Sequence, residues 1–281
     1  MNLARRAVLA GVAASGAVGA GAAVNGVGAD PAFIDRAHRS LVYARDQRVV
    51  FWFKHGIKYG VVDGDVTPLW AMEVLFIQRV LAHRAEDFDM VSLEAVFMTD
   101  VATGALLDEW TNPYTGARLP VPNRLFGPER QTINSHSAAV LSEMPGVRID
   151  RRHTIGPATL VGDDVWLPVD TSSTVRRAVG DAPPFRVHDL ETFHGSRRAI
   201  DNPGVMSAPA TAALHIISSW QTWLAMDGRS GSQVTRLTAR KVFALDDIPG
   251  STLALLKRTY PEIAANPAAA LERAPESFER R

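Results

Sequence analysis

The sequence contains no cysteine. That excludes disulfides, thiolate nucleophiles, iron–sulfur clusters and cysteine-based zinc sites, and leaves stability to a packed core. Net charge is missing too: 30 basic residues balance 30 acidic ones, so no overall field draws the chain to nucleic acid or an anionic membrane. Several catalytic patterns are also absent. There is no H-E-x-x-H and no P-loop, and the nearest approach to G-x-S-x-G, Gly228-Arg229-Ser230-Gly231-Ser232, lacks the strand–turn–helix setting of a nucleophile elbow. The glycines between Gly16 and Gly21 belong to an N-terminal leader, so no dinucleotide fingerprint remains. Metal, nucleotide and serine-triad chemistry are set aside by the usual routes, and no cofactor is expected.

What is present is an ordinary globular composition, 46% hydrophobic and 21% charged, enough for a sizeable core. Arg5-Arg6 precede an uncharged stretch from Ala7 to Val24 built largely of Ala, Gly and Val, with small-residue cleavage patterns ending at Ala22 and Ala29. This reads as an export signal, and Val8-Leu9 after the paired arginines point to the twin-arginine route, although Ala4 replaces the usual Ser or Thr. The alternative is a retained anchor, which so many small residues would make weak. The expectation is a signal over residues 1–29, a periplasmic or secreted mature protein without stable membrane insertion, one β-rich domain over 30–265, and a flexible tail over 266–281.

Residues 91–116 organise the remainder. Val91, Leu93, Ala95 and Phe97 alternate with Ser92, Glu94, Val96 and Met98, the period of 2 that a strand requires. Asp100 to Gly104 supply turn chemistry, 106–110 returns as a second strand, and Asn112-Pro113-Tyr114-Thr115-Gly116 closes the unit. Asp30 caps a short helix over 31–39 with Pro31 in its first turn. Strands are predicted over 40–44, 48–54 and 57–62, and over 69–81, where a buried helix is the alternative. Residues 120–132 read as irregular and 136–144 as a short helix or strand. A second hairpin turns at Gly162-Asp163-Asp164. Strands follow over 185–195, over the apolar run 211–226 and over 234–245, with a closing helix over 251–260. The pairs Arg151-Arg152, Arg176-Arg177 and Arg197-Arg198 read as solvated turns. This pattern predicts a mainly β protein: an antiparallel β-barrel, lipocalin-like in general form, or a sandwich, with a few short helices.

The run Thr103-Gly104, Asp108, Trp110 and Asn112 to Gly116 resembles the signature hairpin of the domain-of-unknown-function 1838 family. The resemblance extends through His188 to Ser196, Trp220 to Trp223, Arg240-Lys241-Val242, Asp247-Ile248-Pro249 and Tyr260-Pro261-Glu262, covering roughly residues 31–263. It implies kinship and no particular activity.

His188, Glu191 and His194 do not form a metal site on a strand, where the histidines share a face about 20 Å apart, at roughly 3.3 Å per residue, and Glu191 points away. Acid–base chemistry remains. Glu94 sits beside Val96 and Met98, and Glu191 between Leu190 and Phe193; a carboxylate there is either paired across the sheet or protonated with a raised pKa. Glu94, Glu191 and His194 are therefore the catalytic candidates. His188, Tyr114, Trp220 and Trp223, the tryptophans on opposite faces of a strand, are candidate ligand contacts, whereas His215 reads as core. The function expected is a cofactor-free lyase, isomerase or hydrolase acting on an apolar or aromatic metabolite. The alternatives are a non-catalytic carrier of an apolar ligand and a partner-binding protein.

Overall fold

The computed structural model describes residues 30–122, 124–135, 137–140, 147–177 and 183–273. The export-signal expectation lies outside the described residues, as do most of 136–144 and the end of the tail. Helix α1 (Pro31–Leu41) starts as the sequence predicts, with the Asp30 carboxylate accepting from the Ala32 N–H at 3.1 Å and Pro31 in the first turn. It runs further than predicted. Ser40 and Leu41 complete the helix, and residues 42–44 enter a turn, not a strand.

Ten antiparallel strands then curl into a nearly closed barrel. The long strands β1 (Val49–Val62), β2 (Asp65–His83) and β3 (Asp87–Thr99) form a meander. Two expectations about this region are corrected. Gly56 does not divide β1; a Cβ there would lie 1.9 Å from the Arg236 carbonyl oxygen, so glycine permits a close strand approach within an unbroken ladder. Residues 106–110 do not return beside β3, which pairs with β2 and with β6 (Arg124–Asn134). Only a single bridge joins Thr99 to Leu106, and β4 (Glu109–Thr111) and β5 (Arg118–Pro120) form a separate small ribbon. Most of the segment read as irregular, 120–132, belongs to β6, the strand that captures the edge of β3.

β7 (Ala138–Val140) continues the sheet from β6, and β8 (Val147–Ile155) begins its other side. β9 (Thr159–Val161) turns at Gly162, whose φ is +59°, into β10 (Asp164–Arg177), as predicted. β11 (Phe185–Ser196), β12 (Ala210–Ser218) and β13 (Ser232–Val242) complete the order β7-β6-β3-β2-β1-β13-β12-β11-β10-β8. The seam lies where β6 and β7 meet β8. There the Ile155 N–H reaches the Ser135 carbonyl at 3.4 Å, and Arg151 Nη1 pairs with Glu129 Oε1 at 2.7 Å. Arg151-Arg152 and Arg176-Arg177 thus belong to strands, and Arg197-Arg198 opens α2 (Arg197–Asp201), so only the last pair lies outside the sheet.

Both faces of β1–β3 are covered. Phe51, Phe53, Leu75, Ile77, Val91, Leu93 and Phe97 point outward, under α3 (Gly250–Thr259), α4 (Pro261–Ala265) and α5 (Pro267–Ala270). Leu256, Ile263, Ala270 and Leu271 fill that layer, so packing continues past Asn266. The opposite residues face the barrel interior.

The two barrel ends are closed differently. At one, residues 40–44 fold over the opening: Trp52 Nε1 and Gln78 Nε2 donate to the Val42 carbonyl at 3.0 and 2.6 Å. Lys241 Nζ donates to Ser40 O, Tyr43 O and Ser207 Oγ at 2.8, 2.9 and 3.1 Å. At the other end, the Asn112–Gly116 turn docks on the 3-10 turn Thr222–Leu224 through Asn112 Nδ2 and the Leu224 carbonyl, 2.7 Å apart.

Candidate functional site

Because strand residues alternate, one register choice decides everything the barrel encloses. In β1 the inward residues include Trp52, Lys54 and Lys58; in β3, Ser92, Glu94 and Val96; in β11, Asp189, Glu191 and Phe193. They surround a cavity of about 700 Å³, within the size range of small-molecule sites. Its wall mixes apolar and charged side chains. Met72, Met90, Met98, Val96, Phe193 and Leu214 supply apolar surface, and Lys54, Lys58, Glu94, Asp189 and Glu191 line the same cavity.

The charged groups fall into two fixed pairs and a set without fixed partners. Lys54 Nζ lies 3.5 Å from Glu94 Oε2 and 4.7 Å from the centre of the Phe76 ring. Of the two expectations for Glu94, the structure gives pairing across the sheet, with Lys54 as the partner. Arg151 Nη1 holds Glu129, and its Nε reaches Ser173 Oγ at 3.0 Å. His153 Nδ1 lies 3.0 Å from Thr171 Oγ1, and burial followed by the Arg151 charge pushes its pKa down to about 4, so the ring is neutral.

Asp189 and Glu191 make no hydrogen bond or ion pair among the described residues. Burial pushes Glu191 up to about 7, against the opposing effect of Lys54, with Asp189 and Glu94 adding like charge. Asp189 rises to about 6, again chiefly by burial and against Lys54. For Lys54 burial acts downward, but Glu94, Glu191 and Asp189 outweigh it and hold the ammonium charged. The raised pKa expected for a buried carboxyl is thus that of Glu191, and burial shifts Asp189 in the same direction.

The structure brings Glu94 and Glu191 to the same cavity and leaves the other sequence candidates elsewhere. His194 is on the outer face of β11, its ring stacked on Trp166 at 4.9 Å and its Nε2 2.9 Å from Asp164 Oδ1. His188 shares that outer face and does not line the cavity. Tyr114, Trp220 and Trp223 belong to the closed barrel end. Tyr114 meets Trp220 edge-on at 5.8 Å, and Trp223 lies 5.4 Å from Trp70 and 6.1 Å from Trp110. The tryptophans do not alternate on a strand, since β12 stops at Ser218 and a 3-10 turn follows. Lys54, Lys58, Arg151 and Asp189 had not been singled out as site residues. Lys54 and Lys58 carried a readable signal: lysines at even spacing with Trp52 in a strand that is otherwise apolar and aromatic. Among the described residues no group of three or more His, Asp or Glu side chains is arranged to hold a metal ion, and no helix is long and apolar enough to cross a membrane.

Fold and site together define an antiparallel β-barrel with a charged pocket and with non-strand segments packed at both ends. Residues 46–144 match the family model described as "Protein of unknown function (DUF1838)", the family that the 103–116 motif resembles. The matched stretch contains Lys54, Lys58 and Glu94, whereas Asp189 and Glu191 lie beyond it. No curated protein and no solved structure matches the chain.

Proposed function

We propose that the barrel cavity binds a small organic molecule with an apolar body and that Glu191 and Glu94 perform acid–base chemistry on it without a cofactor. The observation that carries this reading is the gathering of Glu191, Asp189 and the Lys54–Glu94 pair around one apolar-walled cavity. A carboxyl poised at about 7 is shared between acid and base forms at neutrality, as proton transfer in either direction requires. Lys54, kept charged by three carboxylates, is a fixed cation facing any developing oxyanion. Tyr114, Trp220 and Trp223 are assigned to sealing the barrel, and His194 and His188 to its outer surface.

The reading includes export, supported by the Arg5-Arg6 leader. Replacing both arginines with lysine should retain the precursor in the cytoplasm; unchanged export would remove the twin-arginine route. The cavity is tested by native mass spectrometry of protein purified from its exported fraction, before and after denaturation. A co-purifying organic molecule supports the reading. With that molecule as substrate, Glu191→Gln should abolish turnover while retaining binding. A protein that binds the molecule tightly and leaves it unchanged at every pH is instead the carrier, the second reading, which the apolar wall also suits.

A further inference from the structure

Lysine is scarce in this chain. Only Lys54, Lys58, Lys241 and Lys257 occur among 30 basic residues, the others being arginines. Lys257 is exposed, whereas the other three are inside. An interior ammonium needs partners, because desolvation otherwise disfavours its charge. Lys54 has Glu94, and Lys241 has three oxygen acceptors at the barrel end. Lys58 differs. It is 6% exposed, lines the cavity, and makes no hydrogen bond or ion pair among the described residues.

Its placement is specific. A β-bulge between Lys58 and Tyr59 breaks the register with β2, the irregularity that re-aims a side chain near a site. Across the sheet Lys58 stands opposite Thr235, Thr235 opposite Ile216, and Ile216 opposite Asp189. All four line the cavity, so the amine and the Asp189 carboxyl share one rung of the barrel. Burial first and the Arg124 charge second push the Lys58 amine down to about 8. A desolvated lysine beside another cation is the setting in which the amine becomes a nucleophile.

We infer that Lys58 is a covalent capture residue, forming an imine with an aldehyde or ketone that enters the barrel cavity. The inference rests on the cavity-binding reading above and names the ligand class. The lone pair of the neutral Lys58 Nζ adds to the carbonyl carbon, and the C=O π electrons move to oxygen, which is protonated as nitrogen loses a proton. The carbinolamine hydroxyl then departs as water with a proton from Asp189, while the nitrogen lone pair closes the C=N bond. Transfer of the remaining N–H proton back to Asp189 leaves a neutral imine. One carbonyl and one amine give one imine and one water, and hydrolysis reverses the sequence. Glu94 and Asp189 are the anions that stabilise the iminium form, as they do the Lys58 ammonium.

The test uses the whole chain with benzaldehyde as probe and sodium cyanoborohydride as trap, followed by peptide mapping. Benzyl alcohol, which has the same shape and cannot form an imine, serves as a separate binding probe by equilibrium dialysis. The expected result is reduced adduct at Lys58 exceeding that at exposed Lys257 by about tenfold or more at pH 7, since a depressed amine pKa leaves a larger neutral fraction. Lys58→Arg, which keeps the charge, should lose the adduct and still bind benzyl alcohol. Binding of the alcohol with Lys58 unlabelled would overturn the imine inference and leave the cavity reading standing. Failure of the chain both to bind benzyl alcohol and to trap benzaldehyde inside the barrel would overturn both.

Discussion

Glu191 shows how burial of one side chain makes stability depend on pH. Its carboxyl, ordinarily ionised above 4.5, keeps its proton to about 7 in the folded chain. Between those values the folded state binds more protons than the unfolded one, so stability falls as pH rises through that window and the penalty is fully present above it. Glu191→Gln, uncharged throughout, should therefore raise stability at pH 8 by on the order of 1–3 kcal/mol and leave it nearly unchanged at pH 4. Denaturant melts at the two pH values measure this directly, and an equal effect at both would refute the assignment. Lys58 has the opposite sign: its depressed pKa costs stability below about 8, and the loss is relieved as pH climbs towards 10.5. Asn112 illustrates a different residue-scale role. Fully buried, it donates to the Leu224 carbonyl and accepts from the Tyr114 N–H at 2.8 Å. Asn112→Ala strands both backbone groups and should cost about 2–4 kcal/mol, read as a shift in the urea midpoint without a change in slope.

At the scale of elements, the strands are long because backbone approach is kept open at chosen points. Gly56→Ala would drive a Cβ into the Arg236 carbonyl and must separate β1 from β13, the pair on which both site lysines and Thr235 depend. Its expected cost is about 3 kcal/mol or more, in the range of severe overpacking, with faster amide exchange in both strands. Gly60 makes a comparable opening, for the Tyr114 ring instead of a backbone. The helical layer answers a different need. Phe51, Phe53 and Phe97 face away from the cavity, and removing the chain from Gly250 onward would expose them as one apolar patch. Such a truncation should aggregate, which size-exclusion chromatography reads directly. Much at this scale was legible. The Asp30 cap, the Gly162 turn and the period of 2 in β3 and β11 are local, so the residues that produce them are neighbours in sequence. The 124–134 strand was not, because its Pro128 and Gly127 read as breakers until β3 supplies the edge on which it pairs.

At the scale of the whole molecule, the sheet closes on itself at a seam that backbone bonding only partly covers. Arg151 and Glu129 bridge it from inside, both mostly buried. Removing one partner leaves the other charge uncompensated, so Glu129→Ala should loosen Val147–Ile155 specifically. Hydrogen exchange should then speed in that strand by about tenfold or more while β2 and β3 keep their protection, the contrast expected of a local opening worth about 1.4 kcal/mol. Uniform acceleration across the barrel would instead indicate global destabilisation. The sequence by itself determined the absence of thiol chemistry, the β class, the turns, the caps and the division of each strand into two faces, since all of these follow from composition or from contacts a few residues apart. Only the tertiary structure decided which face became the inside. In β3 the more apolar set, Val91 to Phe97, lies under the helices, and the set carrying Ser92 and Glu94 lines the cavity. Alternation fixes the two sets but not their direction, which depends on what packs against each. The placement of Lys58 and Asp189 on one rung, and the pairing of Glu94 with Lys54, join strands far apart in the chain, and those neighbours exist only once the sheet has formed.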